Sequence, residues 1–167
     1  VSRLIGNNKP SVLDCFSGVG KMWVDVSRET GINFSISRIE RDPGKCRYPH
    51  LQGACEKFLG TLDLGKYDII DLDAHGIPYK QLDILFRKEY HGYVIVTFCL
   101  TLFRDLPIAM LKQLGYTKEM FKKCKALLCR NGMAKLKSYL ALNGISELTG
   151  YFDLGHPGSR NYFWFKV

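Results

Sequence analysis

The stretch VLDCFSGVGKMW, residues 12–23, decides how the rest of the chain is interpreted. A short apolar run reaches Asp14, a Gly-x-Gly sequence follows at Gly18 and Gly20, and a helix-like pattern begins after it. Buried parallel strands have this apolar character, and glycines let a ligand approach the backbone closely because they have no Cβ. The stretch therefore predicts a buried strand that ends at a small-molecule site.

Strand-like and helix-like segments alternate along the chain. Apolar periodicity predicts strands over 11–16, 33–40, 67–73 and 92–100 and helices over 20–30, 78–90, 106–115, 117–130 and 132–143. Two closing strand-like runs, 145–154 and 160–167, are joined by the sequence GHPGS and predict an antiparallel hairpin. The alternation predicts an α/β domain with a mostly parallel sheet and helices on both faces.

Length and hydropathy limit the class of protein. At 167 residues, the chain is predicted to form one domain over 1–167. No apolar run approaches the ~20 residues that span a bilayer, and the first residues lack a signal-peptide pattern, so we expect a cytoplasmic protein without a membrane partner. The chain does not begin with Met, which indicates a trimmed or partial chain.

The cysteines are not spaced as metal ligands. Six are present and none forms a C-x-x-C pair, which argues against a zinc ribbon or a thioredoxin-like redox site. Cys15 and Cys99 lie in apolar runs, where a free cysteine behaves as a small hydrophobic residue. We therefore expect reduced thiols and no bound metal. Cys99 remains a remote candidate for covalent chemistry, with core packing favoured.

The net charge of +8 is concentrated in one part of the chain. Between residues 112 and 137, one acid accompanies eight basic residues, which are Lys112, Lys118, Lys122, Lys123, Lys125, Arg130, Lys135 and Lys137. Such a segment favours an anionic partner, and we predict nucleic acid, with Lys122 and Lys125 on a shared helix face contacting phosphates. The alternative is an ordinary solvated helix face.

The ligand of the glycine loop is predicted to contain a ribose. A dinucleotide fingerprint needs a small residue where this chain has Trp23, and no P-loop sequence is present, so NAD, FAD and P-loop nucleotides are disfavoured. Glu40 follows Gly20 by 20 residues at the predicted end of the second strand. An acid at that place can hydrogen-bond a ribose diol, the alternative being a surface acid at a strand end.

The segment DCFSGVGK resembles the D-x-F-x-G-x-G first motif of class I S-adenosylmethionine-dependent methyltransferases, in the form common among those that act on nucleic acids. The resemblance implies a Rossmann-like methyltransferase fold with a seven-stranded sheet and S-adenosylmethionine as cofactor. It implies that Asp14, Phe16, Gly18 and Gly20 contact the cofactor, and that Glu40 is the ribose-binding acid. The order of elements, with the final hairpin, extends the resemblance over nearly the whole chain.

The segment YDIIDLDAHGIPY lies where this family has its fourth-strand motif. Its DLDAHG part is most similar to the D-x-D-P-F-G segment of tRNA guanosine N2-dimethyltransferases. Asp73 is expected to accept a hydrogen bond from an exocyclic base amine, with Asp71 behind it on the cofactor side. His75 is a candidate proton acceptor or substrate contact, the alternative being a local hydrogen-bonding residue of the loop. Tyr79 is a candidate base-stacking residue or the first core residue of its helix.

Two departures from the family pattern leave parts of the site open. Ala74 and His75 replace the Pro-Pro or Pro-Phe pair, which leaves the target atom undecided. In GACEKFL, residues 53–59, Ala54 stands where the family often has an acid near the adenine. Glu56, or backbone and apolar contacts around Cys55, are left to hold the adenine.

The sequence therefore predicts a methyltransferase that acts on nucleic acid, on an exocyclic base amine, with RNA ahead of DNA. A second hypothesis is a catalytically inactive methyltransferase-like module that binds nucleic acid or serves as a scaffold. A third is methyl transfer to a protein or a small molecule. A protein partner or a homo-oligomer remains open, because the chain has no appended recognition domain.

Overall fold

The computed structural model describes residues 9–74, 76–99, 105–153 and 160–167. The strands are β1 (Ser11–Asp14), β2 (Ser35–Glu40), β3 (Leu51–Gln52), β4 (Ile69–Leu72), β5 (Tyr93–Cys99), β6 (Gly150–Asp153) and β7 (Arg160–Lys166). The helices are α1 (Met22–Thr30), α2 (Cys55–Thr61), α3 (Tyr79–Arg87), α4 (Ile108–Gln113), α5 (Lys118–Lys123) and α6 (Gly132–Leu142).

The strands form one mixed sheet in the order β3-β2-β1-β4-β5-β7-β6. Pairing is parallel from β3 to β5, whereas β7 pairs antiparallel with both β5 and β6. Six of these strands have ordinary length, and the expected seventh is only the two-residue β3 at the edge beside β2. The C-terminal antiparallel pair is confirmed, and its connection, residues 154–159, lies outside the described residues.

Side chains alternate between two cores, one on each face of the sheet. Val12 and Ile69 belong to the smaller core, where α1 contributes Trp23. Leu13 and Ile70 point to the larger core, which is covered by apolar residues of α2, α3, α4 and α6. Successive residues of a strand point to opposite faces, so this division follows directly from the sequence.

Helix α1 ends where the sequence predicts. Gly31 takes a left-handed conformation with a φ of +69°, which terminates the helix after Thr30. Arg28 lies in the last turn, where its charge interacts favourably with the helix dipole. The strand that follows, β2, pairs parallel with β1, and this pairing brings the end of β2 beside the end of β1.

The predicted helix over 117–130 is wrong. Helix α5 stops at Lys123, because Cys124 has extended backbone angles, and a short 3-10 helix, Lys125–Leu128, follows. Met120 is 41% exposed, whereas Phe121 and Leu128 are partly buried against the larger core, so the apolar residues of this segment do not form one continuous buried face. Lys122 and Lys125 therefore do not share the face of a single helix.

No helix among the residues that the structure describes is both long and apolar enough to cross a bilayer.

Candidate cofactor and active site

The loop after β1 has left-handed backbone at both glycines. Gly18 has a φ of +54° and Gly20 a φ of +78°, which side-chain-bearing residues rarely adopt. A Cβ on Gly20 would lie 2.8 Å from the ring of Tyr48 and 3.0 Å from the Sγ of Cys46, so the loop is closely packed there. A Cβ on Gly18 would meet its first heavy atom only at 3.9 Å, so the loop is open on that side.

Glu40 is the last residue of β2 and holds the glycine loop in place. Its Oε2 accepts a hydrogen bond from the Gly18 backbone N–H at 2.8 Å, and its Oε1 accepts one from the Asp42 N–H at 3.0 Å. Each carboxylate oxygen can accept a second hydrogen bond. Glu40 is half-buried and thus retains the capacity to bind a pair of hydroxyls beside the open side of Gly18.

Three charged side chains form a buried row across neighbouring strands. Arg38 of β2 pairs in register with Asp14 of β1, which in turn pairs with Asp71 of β4. Residues at one register position point to the same face of a sheet, here the face that α1 covers. Arg38 is 8% exposed and both acids are 2% exposed. The indole Nε1 of Trp23 donates to the Asp71 Oδ2 at 2.8 Å and fixes that carboxyl group.

Burial decides the protonation of the two acids in this row. Burial raises the pKa of Asp14 to about 7, although the neighbouring Arg38 charge opposes the rise. Burial and the nearby Asp14 carboxylate raise the pKa of Asp71 to about 8, although the Trp23 hydrogen bond opposes the rise. Neighbouring acids with raised pKa values titrate as a pair. Near neutral pH the pair therefore holds a proton, which partly relieves the cost of burying two carboxylates.

Two polar atoms of the row have no hydrogen-bond partner among the residues that the structure describes. They are the Oδ2 of Asp14 and the Nε of Arg38. Most buried polar atoms in proteins are hydrogen-bonded, so each unpaired atom needs an explanation. Asp14 directly precedes the glycine loop, and the nearby Phe16 backbone N–H favours its charged form, which opposes the rise in its pKa. An unpaired carboxylate oxygen at this place fits a cationic group of a ligand lying on the loop.

Asp73 lies immediately after β4 and is more accessible than the buried acids. It is half-exposed, and its charge contributes to the raised pKa values of Asp14 and Asp71, so the three carboxyl groups lie near one another. The backbone turns sharply after it, with the Ala74 N–H donating to the Leu72 carbonyl at 2.8 Å. His75, a candidate catalytic residue, lies outside the described residues.

Tyr79 lies in the larger core, at the start of α3. It is buried, its ring centroid is 5.4 Å from that of Tyr139, and its hydroxyl accepts a hydrogen bond from the Gln113 Nε2 at 3.0 Å. The ring thus lies between α3, α4 and α6, which fits the core alternative.

Cys55 also points into the larger core. It is buried at the start of α2, near the buried thiol of Cys15. Burial, together with the neighbouring Cys55 thiol, raises the pKa of the Cys15 thiol. Glu56, the other candidate near the adenine, is half-buried and accepts a hydrogen bond from the Gln81 Nε2 at 3.0 Å. Phe16 is half-buried against the same core.

The basic segment is spread over α4, α5, the 3-10 helix and α6. Seven of its eight basic side chains are exposed, Lys122 and Lys125 among them. Lys135 is buried instead, donates to the Leu127 backbone carbonyl and lies 5.1 Å from the centroid of the Tyr116 ring. Burial lowers the pKa of Lys135. Lys135 thus anchors the 3-10 helix to α6 and is not part of a binding surface.

Sequence reasoning missed Arg38 and the segment 41–50. Arg38 sits inside the strand-like sequence SISRIE and carries no local sign of burial. The segment 41–50 folds back over the glycine loop, where the Cζ of Arg38 is 4.6 Å from the centroid of the Tyr48 ring. The Arg47 N–H also donates to the Val19 carbonyl at 3.4 Å. The signal that the sequence offered for this packing was Gly20 itself, because a glycine often marks a place where another part of the chain approaches the backbone closely.

Two cavities lie away from this edge of the sheet. One, of about 390 Å³, is lined by residues of α6 and the segment after it, Lys137, Leu140, Ile145, Ser146, Glu147 and Leu148. The other, of about 260 Å³, is lined by Gly60, Ile84, Arg87 and Lys88. The described residues that line these two cavities include no buried, unpaired polar atom. We therefore place the candidate site at the glycine loop, where the unpaired atoms and the clustered acids lie.

No protein-family model matches the sequence, and a comparison with curated proteins finds no significant match. Solved structures do resemble the fold. LepI in complex with S-adenosylmethionine superposes with a TM-score of 0.57 at 9% identity, over 98% of this chain and 44% of LepI. Aeropyrum pernix fibrillarin with natively bound S-adenosylmethionine has a TM-score of 0.56 at 14% identity, over 95% of this chain and 66% of fibrillarin.

Haemonchus contortus phosphoethanolamine N-methyltransferase 2, in complex with S-adenosylhomocysteine, has a TM-score of 0.57 at 8% identity. That match covers 97% of this chain and 49% of the enzyme. The chain thus spans less than half the length of LepI and of this enzyme, and about two thirds of fibrillarin. From β1 to β7 the chain has the α/β Rossmann-like fold of class I S-adenosylmethionine-dependent methyltransferases.

Proposed function

We propose that the protein is an S-adenosylmethionine-dependent methyltransferase. The observation that carries the proposal is the glycine loop. Glu40 accepts a hydrogen bond from its Gly18 N–H, and the unpaired carboxylate oxygen of Asp14 lies at its start. This arrangement offers acceptors for a ribose and for a cation at one edge of the sheet. Several proteins with this fold hold S-adenosylmethionine or S-adenosylhomocysteine, which supports the same ligand here.

The residues present fit the cofactor. Glu40 would accept hydrogen bonds from the ribose hydroxyls, Gly18 would allow close approach, and Asp14 would bind a positive group. When bound, S-adenosylmethionine supplies a methyl group with an electrophilic carbon. The enzyme then mainly has to hold the acceptor atom in line with that carbon.

Asp73 is proposed to orient the acceptor. An exocyclic base amine is a poor nucleophile because its lone pair is delocalised into the ring. A carboxylate that accepts a hydrogen bond from the amine N–H helps to localise that pair as the new bond forms. Asp73 is half-exposed beside the two buried acids, which supports this role over Asp71.

We propose nucleic acid as the substrate class, with RNA ahead of DNA. The support is the exposed basic residues between 112 and 137, because phosphate contacts supply most of the sequence-independent affinity for nucleic acids. Other chemistry occurs on this fold, since one similar structure is described as a pericyclic reaction enzyme. Methyl transfer to a protein or a small molecule, and an inactive binding module, are therefore outcomes that the experiments must separate.

Calorimetric titration with S-adenosylhomocysteine and with NAD tests the cofactor. We expect binding of the first alone, and Glu40→Gln to weaken it by about 1.5–3 kcal/mol, the range for hydrogen bonds involving charged groups. Glu29→Gln, which removes an exposed acid at the end of α1, is the matched control and should bind normally. A wild-type protein that binds neither S-adenosylhomocysteine nor S-adenosylmethionine would rule out the proposed function.

A second assay separates the substrate classes. Transfer of a labelled methyl group to bulk RNA, to DNA and to protein extracts is measured with the same preparation. Label in RNA or DNA supports the proposal. Cofactor binding with nucleic-acid binding but no transfer to any acceptor would indicate an inactive module.

A further inference from the structure

Arg38 and Asp14 are opposite charges on neighbouring strands that do not pair with each other. They share one register position, and both are more than nine-tenths buried. Within the described part of the chain they form no direct ion pair, and each retains an unpaired atom, Nε of Arg38 and Oδ2 of Asp14. Burying a charge without a partner is costly, so two complementary unpaired groups indicate a place for a ligand that carries both charges.

The guanidinium of Arg38 is positioned against the glycine loop. Its Nε would lie 3.3 Å from a Cβ placed on Gly20, and its Cζ lies 4.6 Å from the centroid of the Tyr48 ring. The Tyr48 ring thus occupies one face of the planar group. The Nε edge lies beside the loop, and a planar guanidinium stacked on an aromatic ring is pre-organised to bind a carboxylate.

An α-amino acid matches this pair of groups. Its ammonium and its carboxylate are attached to one carbon, and neighbouring strands are spaced about 4.8 Å apart. A ligand of this kind can therefore reach an acid on β1 and a base on β2 at once. S-Adenosylmethionine ends in such an α-amino acid.

We propose that Arg38 binds the α-carboxylate of S-adenosylmethionine and makes the site select cofactors with an intact amino-acid end, while Asp14 binds the adjacent ammonium. This inference rests on the proposed function, which it deepens by naming the residue that determines cofactor selectivity. Lys45, whose Cε is 3.9 Å from a Cβ placed on Gly18, is exposed and hydrated, and so is a weaker competitor for the same carboxylate.

The experiment compares three ligands by calorimetry: S-adenosylhomocysteine, its decarboxylated analogue, and 5′-methylthioadenosine, which lacks the amino-acid end. The wild-type protein should bind S-adenosylhomocysteine about 10- to 100-fold more tightly than the decarboxylated analogue, which is the effect of a hydrogen-bonded charge. Arg38→Gln should abolish that ratio while leaving the affinity for both truncated ligands unchanged. Arg41→Gln, an exposed arginine three residues along the chain, is the matched control and should keep the ratio.

The outcomes separate this inference from the function on which it rests. If the wild-type protein binds none of the three adenosyl ligands, both the proposed function and the inference about Arg38 are wrong. If the wild-type protein binds S-adenosylhomocysteine and its decarboxylated analogue equally tightly, only the inference about Arg38 is wrong. This result does not depend on whether Arg38→Gln folds. Equal loss of all three ligands in Arg38→Gln would show a purely structural role and also overturn the inference. Arg38→Lys, which keeps the charge but not the planar fork, should give an intermediate ratio.

Discussion

Asp73 differs from Asp14 and Asp71 in exposure, although all three acids lie at the ends of two adjacent strands. Asp14 and Asp71 are buried under α1, and burial keeps a proton on that pair near neutral pH. Asp73 lies one step further along the chain, beyond the last residue of β4, and is half-exposed. Among these acids, Asp73 is therefore the one able to meet a substrate.

At the residue scale, we predict that Asp73→Ala lowers methyl transfer by about 100-fold or more, the scale of a lost proton-accepting group. Affinity for S-adenosylhomocysteine should remain close to that of the wild type, because Glu40 and Asp14 are unchanged. The measurement is turnover with labelled cofactor on the identified acceptor, beside a calorimetric titration. Asp63→Ala, an exposed acid before the 3-10 helix at residues 64–66, serves as the control. Wild-type turnover in Asp73→Ala would disprove the role.

At the element scale, the basic segment is interrupted where the sequence suggests continuity. Cys124 takes extended backbone angles between α5 and the 3-10 helix, and Lys135 reaches from α6 to the Leu127 carbonyl. Lys135, one of the eight basic residues, therefore holds the 3-10 helix against α6 and does not contribute to a basic surface. The remaining seven are exposed.

We predict that nucleic-acid binding weakens with salt and that Lys122→Gln combined with Lys125→Gln reduces both the affinity and the salt slope. Each phosphate contact contributes about 0.7 to 0.9 to the log–log slope. Fluorescence anisotropy over a salt series measures both quantities. Lys57→Gln combined with Lys80→Gln, two exposed lysines of α2 and α3, makes the same change in net charge elsewhere. An equal effect of both double variants would show that only net charge matters.

At the scale of the whole molecule, the buried acids make global stability depend on pH. The raised pKa values of Asp14 and Asp71 mean that the native state holds protons which the unfolded chain releases near pH 4. The stability that this pair contributes is therefore fully present below about pH 4 and is lost as pH rises through about 7 and 8. The slope is up to about 1.4 kcal/mol per pH unit for each excess proton. Asp68 acts oppositely at lower pH, because hydrogen bonds from Ser11 lower its pKa.

We predict that Asp71→Asn flattens this dependence and stabilises the protein at pH 8. The amide oxygen of asparagine can still accept the Trp23 hydrogen bond, while no charge is buried at high pH. Urea unfolding between pH 5 and 9 measures the change. Glu147→Gln removes an exposed acid and should leave the slope unaltered. A wild-type slope in Asp71→Asn would mean that this carboxyl group does not carry the pH dependence.

Local patterns determined the architecture and the place of the site. Period-two and helical apolar spacing predicted the main strands and most helices, since a strand or helix must turn its apolar residues toward a core. The sequence also placed Gly18, Gly20 and Glu40 correctly at the ends of β1 and β2, because parallel strands bring their carboxyl ends to one edge. The two-residue β3 was not predicted, because two exposed residues are too few to show apolar periodicity.

Contacts between residues distant in the chain were decided by the tertiary structure alone. Trp23 and Asp71 are 48 residues apart, and only the docking of α1 on β4 makes them a hydrogen-bonded pair. Register places Arg38 beside Asp14, and the packing of α3 against α6 encloses Tyr79. A sequence pattern reports which face of an element is apolar, whereas a site depends on which faces meet and at what register. Burial of a charged side chain follows from that meeting and leaves no mark in the local sequence.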